Sequence, residues 1–283
     1  MWTRRTIPGG VSLRGIWGTE KELWVSGEKT TIVKSGDRGA TWQKQPCGVE
    51  DDFDGLWGDG KGTVFVVGKK RVLRTPDGGR TWYQQIFPEP AAFKAIWGSS
   101  DGLLVICGED AVWTSRDGGV TWHGGRVGTG EFRAVWGVRR EAWVLDGRGR
   151  VLTSTDLGAT WNPRGEGLGA GLRGLSGRDG NELYAVGQRG RALRTLDAGR
   201  TWTPLHTGVS QDLQQVYVHP NGAVIAVGDE GTVVRSEDRG RNWKVERTGR
   251  RQDSIQNAWL SPRGQLYVVG SEGTICHRFL YDG

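Results

Sequence analysis

Ser35-Gly36-Asp37-Arg38-Gly39-Ala40-Thr41-Trp42 is the stretch whose reading decides the fold. An Asp in a tight loop can accept backbone amides a residue or two ahead of it. The Gly two residues on supplies a positive φ at no steric cost. The Thr favours the start of a strand, and the Trp buries a large surface between sheets. Versions recur at residues 75–82, 115–122, 154–161, 195–202 and 236–243. The spacings from Trp to Trp are 40, 40, 39, 41 and 41 residues. A period near 40 residues marks a repeat architecture.

Each repeat opens with a short strand that ends in Trp-Gly in the early copies. These strands are 13–18, 53–58, 93–98 and 132–137, with drifting copies at 172–177, 213–218 and 255–260. An apolar second strand ending in Gly follows, as at 23–27, 64–68, 183–187 and 266–270. A third strand alternates apolar and polar residues, as at 31–34, 72–74 and 233–235. The Asp loop joins it to a fourth strand that starts at the Trp. Helix is nearly excluded, because glycine interrupts every window long enough for a 3.6-residue period. Four short strands per repeat, repeated seven times, predict an all-β, seven-bladed β-propeller of four-stranded antiparallel blades.

The Asp loop occurs six times and the first strand seven times. Trp2 precedes Trp17 by 15 residues, as Trp202 precedes Tyr217. Residues 1–5 therefore align with a fourth strand, and the C-terminus supplies the first three strands of a last blade. The N-terminal strand is expected to complete that blade and leave no open sheet edge. The expected organisation is one domain over 1–283. Residues 1–12 give the outer strand of blade 7, and 255–283 give its remainder. Between them lie blades 1 to 6, at 13–52, 53–92, 93–131, 132–171, 172–212 and 213–254.

Composition agrees. Gly accounts for 48 of 283 residues, which without a collagen period means many tight turns. Every one of the 15 Trp has a place in the repeat. None is left over as a sugar-stacking platform. The formal net charge of +6 favours acidic partners. Aromatic and basic residues do not interleave as a single-strand groove requires, so no nucleic acid is expected. No run approaches a membrane span or a signal peptide. Cys47, Cys107 and Cys276 read as reduced, mostly buried thiols. A cytoplasmic, monomeric ring is expected; an exported chain whose leader has been removed would read the same.

The pattern Ser/Thr-X-Asp-X-Gly-X-Thr-Trp resembles the Asp-box, or bacterial neuraminidase repeat, over the whole chain. That repeat occurs in sialidases, sortilin-type receptors, some glycanases and the photosystem II assembly and stability factors. Seven copies with Trp-Gly first strands look like the assembly-factor type. That resemblance implies a non-enzymatic seven-bladed propeller that holds a partner protein, partly through arginines. The export signal or lipoprotein cysteine of that type is missing here.

The resemblance to sialidases stops at the repeat. No Phe/Tyr-Arg-Ile-Pro segment introduces an arginine triad, and no Tyr among Tyr83, Tyr184, Tyr217, Tyr267 and Tyr281 has a nearby Glu with an evident role. A glycosidase pair could come only from Glu50, Asp51, Asp52 and Asp54. This cluster reads first as a solvated loop or part of a partner surface. His123, His206, His219 and His277 lie in different blades without metal spacing. No catalytic residue, metal or cofactor is expected. Asp37, Asp77, Asp117, Asp156, Asp197 and Asp238 are read as structural.

Function is then sought where the repeats disagree. The second position of the first strand, near the channel mouth, reads Arg14, Asp54, Lys94, Arg133, Arg173, Gln214 and Gln256. The loops between second and third strands carry Arg148 and Arg150 in blade 4, and Arg189 and Arg191 in blade 5. Arg133, Arg148, Arg150, Arg173, Arg189 and Arg191, with Arg14 and Lys94, form the expected site for an acidic protein partner. The alternative is a glycan-binding or glycoside-hydrolase-like Asp-box protein.

Overall fold

The computed structural model describes residues 1–89, 92–164 and 167–280. Among them the regular structure is β-strand, apart from one 3-10 turn at Gln188–Gly190. Leu13–Gly18, Leu23–Gly27, Thr31–Ser35 and Gln43–Lys44 form a four-stranded antiparallel sheet in that order. The later repeats at 53–84, 172–206 and 213–247 do the same. No described helix is long and apolar enough to cross a membrane.

Second strands such as Val64–Gly68 and Leu183–Gly187 are buried at every residue. Both faces of their sheets are covered, so these strands carry no charged residue. Seven apolar clusters supply the cover, and each joins two neighbouring repeats. Trp24 and Ile32 meet Phe53 and Val66, for example, and Tyr184 and Val186 meet Leu213 and Ala226. One cluster joins the first repeat to the last, packing Leu13, Ile16 and Val25 against Trp259, Tyr267 and Val269. The fourth strands lie outermost and are short, with only Gln43–Lys44 and Tyr83–Gln84 in the first two sheets.

The termini meet in one sheet. Thr3–Thr6 pairs antiparallel with Thr274–Phe279, which continues through Gln265–Gly270 to Ile255–Leu260. Arg4 fixes this seam. Its guanidinium reaches both oxygens of the buried Asp253, at 2.5 and 3.1 Å, and donates to Thr274 Oγ1 at 2.6 Å.

One pair of blades departs from the expected four-stranded units. Leu104–Ser115 and His123–Val138 each run without a break, so residues 93–164 share a six-stranded sheet. The expected boundary at 131/132 falls inside a strand. Gly124, Gly125, Gly128 and Gly130, all at positive φ, carry the chain from the outer edge of one unit to the inner edge of the next. At Glu109 and Asp110 the strand carries a bulge, where the pairing slips between Glu109 and Ala111.

The Asp loops share one geometry. In the first, Ser35 Oγ donates to Asp37 Oδ1 at 2.8 Å and accepts Gly39 N at 2.7 Å. Asp37 then accepts Thr41 N at 2.8 Å and Thr41 Oγ1 at 2.6 Å. The amide bound is four residues on, not the one or two expected. In the sixth loop Asn242 takes the place of the Thr, and its side-chain amide reaches Asp238 at 2.6 Å. These bonds favour the carboxylate form. The Thr hydroxyl and amide hold Asp37 and Asp77 at about 2, against an ordinary 3.8. The backbone amide and side chain of the residue four on do the same for Asp197 and Asp238.

Three outcomes follow from this architecture. Deleting residues 1–8 lowers the melting temperature of the whole chain, and Arg4→Ala, which strands the buried Asp253 carboxylate, costs about 3 kcal/mol in denaturant titration. An unchanged melting temperature for the deletion would disprove the terminal seam. Gly119 has φ +85°, and a Cβ there would lie 2.4 Å from Phe65. Gly119→Ala should therefore cost about 3 kcal/mol, from left-handed strain plus overpacking. Gly118→Ala, in open space at φ +69°, should cost about 1 kcal/mol. The third outcome concerns acid. A lowered carboxylate pKa stabilises above the unfolded value and loses that contribution as pH falls through the folded value. The loops should hold their strength down to about pH 4 and weaken towards pH 2, seen as a falling melting temperature over that window. Asp197→Asn should shrink the fall.

Candidate partner-binding face and channel mouth

Each first strand pairs with its neighbour through a slip at its second residue, as between Leu13 and Gly15, Phe53 and Gly55, or Ile255 and Asn257. The same slip occurs in the other four repeats. A bulge leaves its extra residue unpaired and re-aims its side chain. That extra residue is Arg14, Asp54, Lys94, Arg133, Arg173, Gln214 or Gln256, and all seven line one cavity of about 450 Å³. Lys69 reaches it from a loop. One residue deeper, the wall is small at Gly55, Ala95 and Ala134 but carries Gln215 and Asn257. Sequence reasoning passed over these two amides. Their signal was a third position occupied by Gly or Ala in the first five repeats and by a carboxamide in the last two.

Carboxylates already engage much of the positive charge. Arg14 lies between Asp54, at 2.6 Å, and Glu28. Burial opposes its charge, but the two acids together raise its pKa. Lys94 shares Asp54 at 3.2 Å, and Arg173 binds Asp212 at 2.9 Å and Gln214 at 2.6 Å. Among the described residues, the acid that Arg133 meets is the exposed Glu131, at 3.1 Å.

In the blade 4 loop, Arg150 is a structural residue: its Nε binds the fully buried Asp146 at 2.7 Å, and the amides of Arg148 and Arg150 cap the same carboxylate. Arg191 donates to the carbonyls of Gly169 and Ala170. The side chains of Arg148 and Arg189 are exposed and meet no acid among the described residues. Among the described residues, three of the six arginines of blades 4 and 5 meet a carboxylate: Arg133 at Glu131, Arg150 at Asp146 and Arg173 at Asp212.

Three of the four acids at 50–54, Asp51, Asp52 and Asp54, are committed to structure and not to a solvated loop. Asp51 accepts the amides of Asp52 and Lys70. Asp52 binds Lys69 at 2.9 Å, which lowers its pKa and raises that of the lysine. Asp54 is held by Arg14 and Lys94. One expectation needs correcting: Tyr184 does have a Glu beside it. Its hydroxyl donates to Glu182 at 2.6 Å, and Arg239 from the next repeat grips both carboxylate oxygens at 2.9 and 2.8 Å. Tyr184 is buried, and burial together with Glu182 pushes its pKa up, which is opposite to what a nucleophile needs. Tyr281 lies outside the described residues. His277 is depressed by burial and faces Gln265, and His219 caps its own turn. Among the described residues no three His, Cys, Asp or Glu side chains gather as a metal site would require. The six loop Asp residues lie at the opposite end of the sheets from the cavity. None of the 15 Trp is exposed.

No protein-family model matches the chain, and no curated protein matches its sequence. Solved structures do match. The photosystem II assembly factor YCF48, solved with a D1 peptide, is 20% identical over 99% of this chain and 97% of its own, with a TM-score of 0.81. Virginiamycin B lyase from Staphylococcus aureus is 11% identical over 99% of both chains, with a TM-score of 0.87. The GH74 xyloglucanase from Xanthomonas campestris is 15% identical, covering 100% of this chain and 54% of its own, with a TM-score of 0.79. Binding proteins and enzymes share this architecture, so the likeness carries the fold and leaves activity to the site. The chain is a β-propeller of the kind that YCF48 also adopts.

Proposed function

We propose that this chain is a non-enzymatic protein-binding scaffold: a monomeric ring of seven blades, divided as the repeats divide, that captures an acidic partner surface on its top face. Ring closure is supported by the pairing of Thr3–Thr6 with Thr274–Phe279 and by the apolar cluster shared between first and last repeats. The observation that carries the function is a pair of exposed arginines, Arg148 and Arg189, whose side chains meet no acid among the described residues. Arg133 and Arg191 belong to the same two repeats. Guanidinium forks of this kind suit carboxylates. A propeller of similar fold, YCF48, has been solved with a peptide bound. The three free thiols suit a reducing cytoplasm.

Arg148→Glu with Arg189→Glu should abolish capture of the partner recovered from the native host while leaving the melting temperature unchanged. Arg150→Glu would set a second carboxylate against buried Asp146 and should lower the melting temperature. Capture that survives the double reversal would make the two exposed arginines incidental. Turnover of any member of a glycan panel would favour the glycan-active alternative.

A further inference from the structure

The channel cavity differs from the exposed arginines in being built for a small guest. Its wall has two tiers. The upper tier presents Lys94 and Arg133, side by side in sequential repeats, each with one carboxylate partner. Lys94 has three N–H donors and Arg133 five, so both keep donors to spare. Their partners leave room for another acid: Asp54 already divides itself between Arg14 and Lys94, and Glu131 is 56% exposed. The lower tier is open beside Ala95 and Ala134 and carries Gln215 farther round. Gln215 spends its oxygen on the amide of Val216, which leaves its NH₂ group to face a ligand. The spare groups of Lys94, Arg133 and Gln215 are therefore donors. The guest they fit is a compact acceptor with negative charge. A cavity of about 450 Å³ admits a side chain with its backbone.

We infer that the channel mouth receives a single acidic side chain projecting from the bound partner, its carboxylate taken by Lys94 and Arg133 and its position fixed by Gln215. This deepens the protein-binding reading and rests on it. The arginines of blades 4 and 5 attract the partner's acidic surface, and the channel sets its register by accepting one residue.

The direct probe is N-acetyl-aspartate methylamide, titrated into the full chain and followed by NMR, with N-acetyl-asparagine methylamide as control. The aspartate compound should give saturable shifts at the Gln215 side-chain amide and the backbone amides of 94–96, and the control should not. Lys94→Gln with Arg133→Gln should weaken binding about tenfold or more. Ala95→Phe, which fills the cavity without changing charge, should block it. Arg148→Gln with Arg189→Gln should leave these shifts in place. Shifts confined to residues 147–150 and 188–191 would overturn the channel site while leaving the scaffold reading intact. The absence of any saturable shift at 94–96 and Gln215 would also overturn it. The scaffold reading itself stands or falls on partner capture by the Arg148 and Arg189 variants.

Discussion

Everything in this molecule depends on the grip of each Asp loop on the sheet before it. The fourth residue of a loop turns left-handed, as at Arg38, Leu157, Ala198 and Arg239, and its carbonyl faces the preceding repeat. There it meets a side-chain donor. Tyr267 reaches Arg38 O at 3.0 Å, and Lys34 reaches Gly78 O at 3.3 Å. Arg116 reaches Leu157 O at 3.2 Å, Trp143 reaches Ala198 O at 3.3 Å, and Arg194 reaches Arg239 O at 2.6 Å. At the remaining loop Phe65 packs beneath Gly119. The carboxylate network inside a loop holds the carbonyl in place, and the donor from the preceding sheet uses it. Local and long-range order are thereby made in one step. Sheets that would each be marginal alone gain a fixed neighbour.

The period, the strand grammar and the terminal pairing were legible because each repeats a chemical signature at fixed spacing. Trp2 revealed its strand by its distance from Trp17 alone. The grip between sheets was not legible, because its donors differ in type and origin: Lys34 and Arg194 on third strands, Trp143 and Tyr267 on second strands, and Arg116 within an Asp loop. Geometry unites them, and residue type does not. The merged sheet at 93–164 escaped notice for a related reason: Gly124 to Gly130 read as another turn, whereas positive φ values spread over several glycines can also carry an extended strand around a corner. The residues that line the cavity share one position in the repeat, which was legible, but its physical cause, a bulge at the second residue of every first strand, lies in the pairing register and leaves no composition signal.

Charge was harder to read than position. The six arginines of blades 4 and 5 look equivalent in sequence. In space, Arg150 completes a buried carboxylate site, Arg173 bridges Asp212 and Gln214, and Arg191 braces a loop through two carbonyls. Only a count of partners separates arginines that hold the fold from those whose side chains meet no acid among the described residues. Arg148 and Arg189 emerge from that count, and Arg150 drops out. The two ends of the sheets differ in their bonding. The Asp-loop end is occupied with bonds to itself and its neighbours, while the opposite end keeps unspent donors around the cavity.

The central claim is that a partner is held at that opposite end. Its most direct measurement is the hydrogen-exchange footprint of the chain in complex with the protein that co-purifies with it from its native host. Protection should gather at residues 147–150 and 188–191 and at the first-strand bulges near Lys94 and Arg133, with the six Asp loops exchanging as in the free chain. Protection confined to the Asp loops would contradict the account and move the binding face to the other end of the propeller.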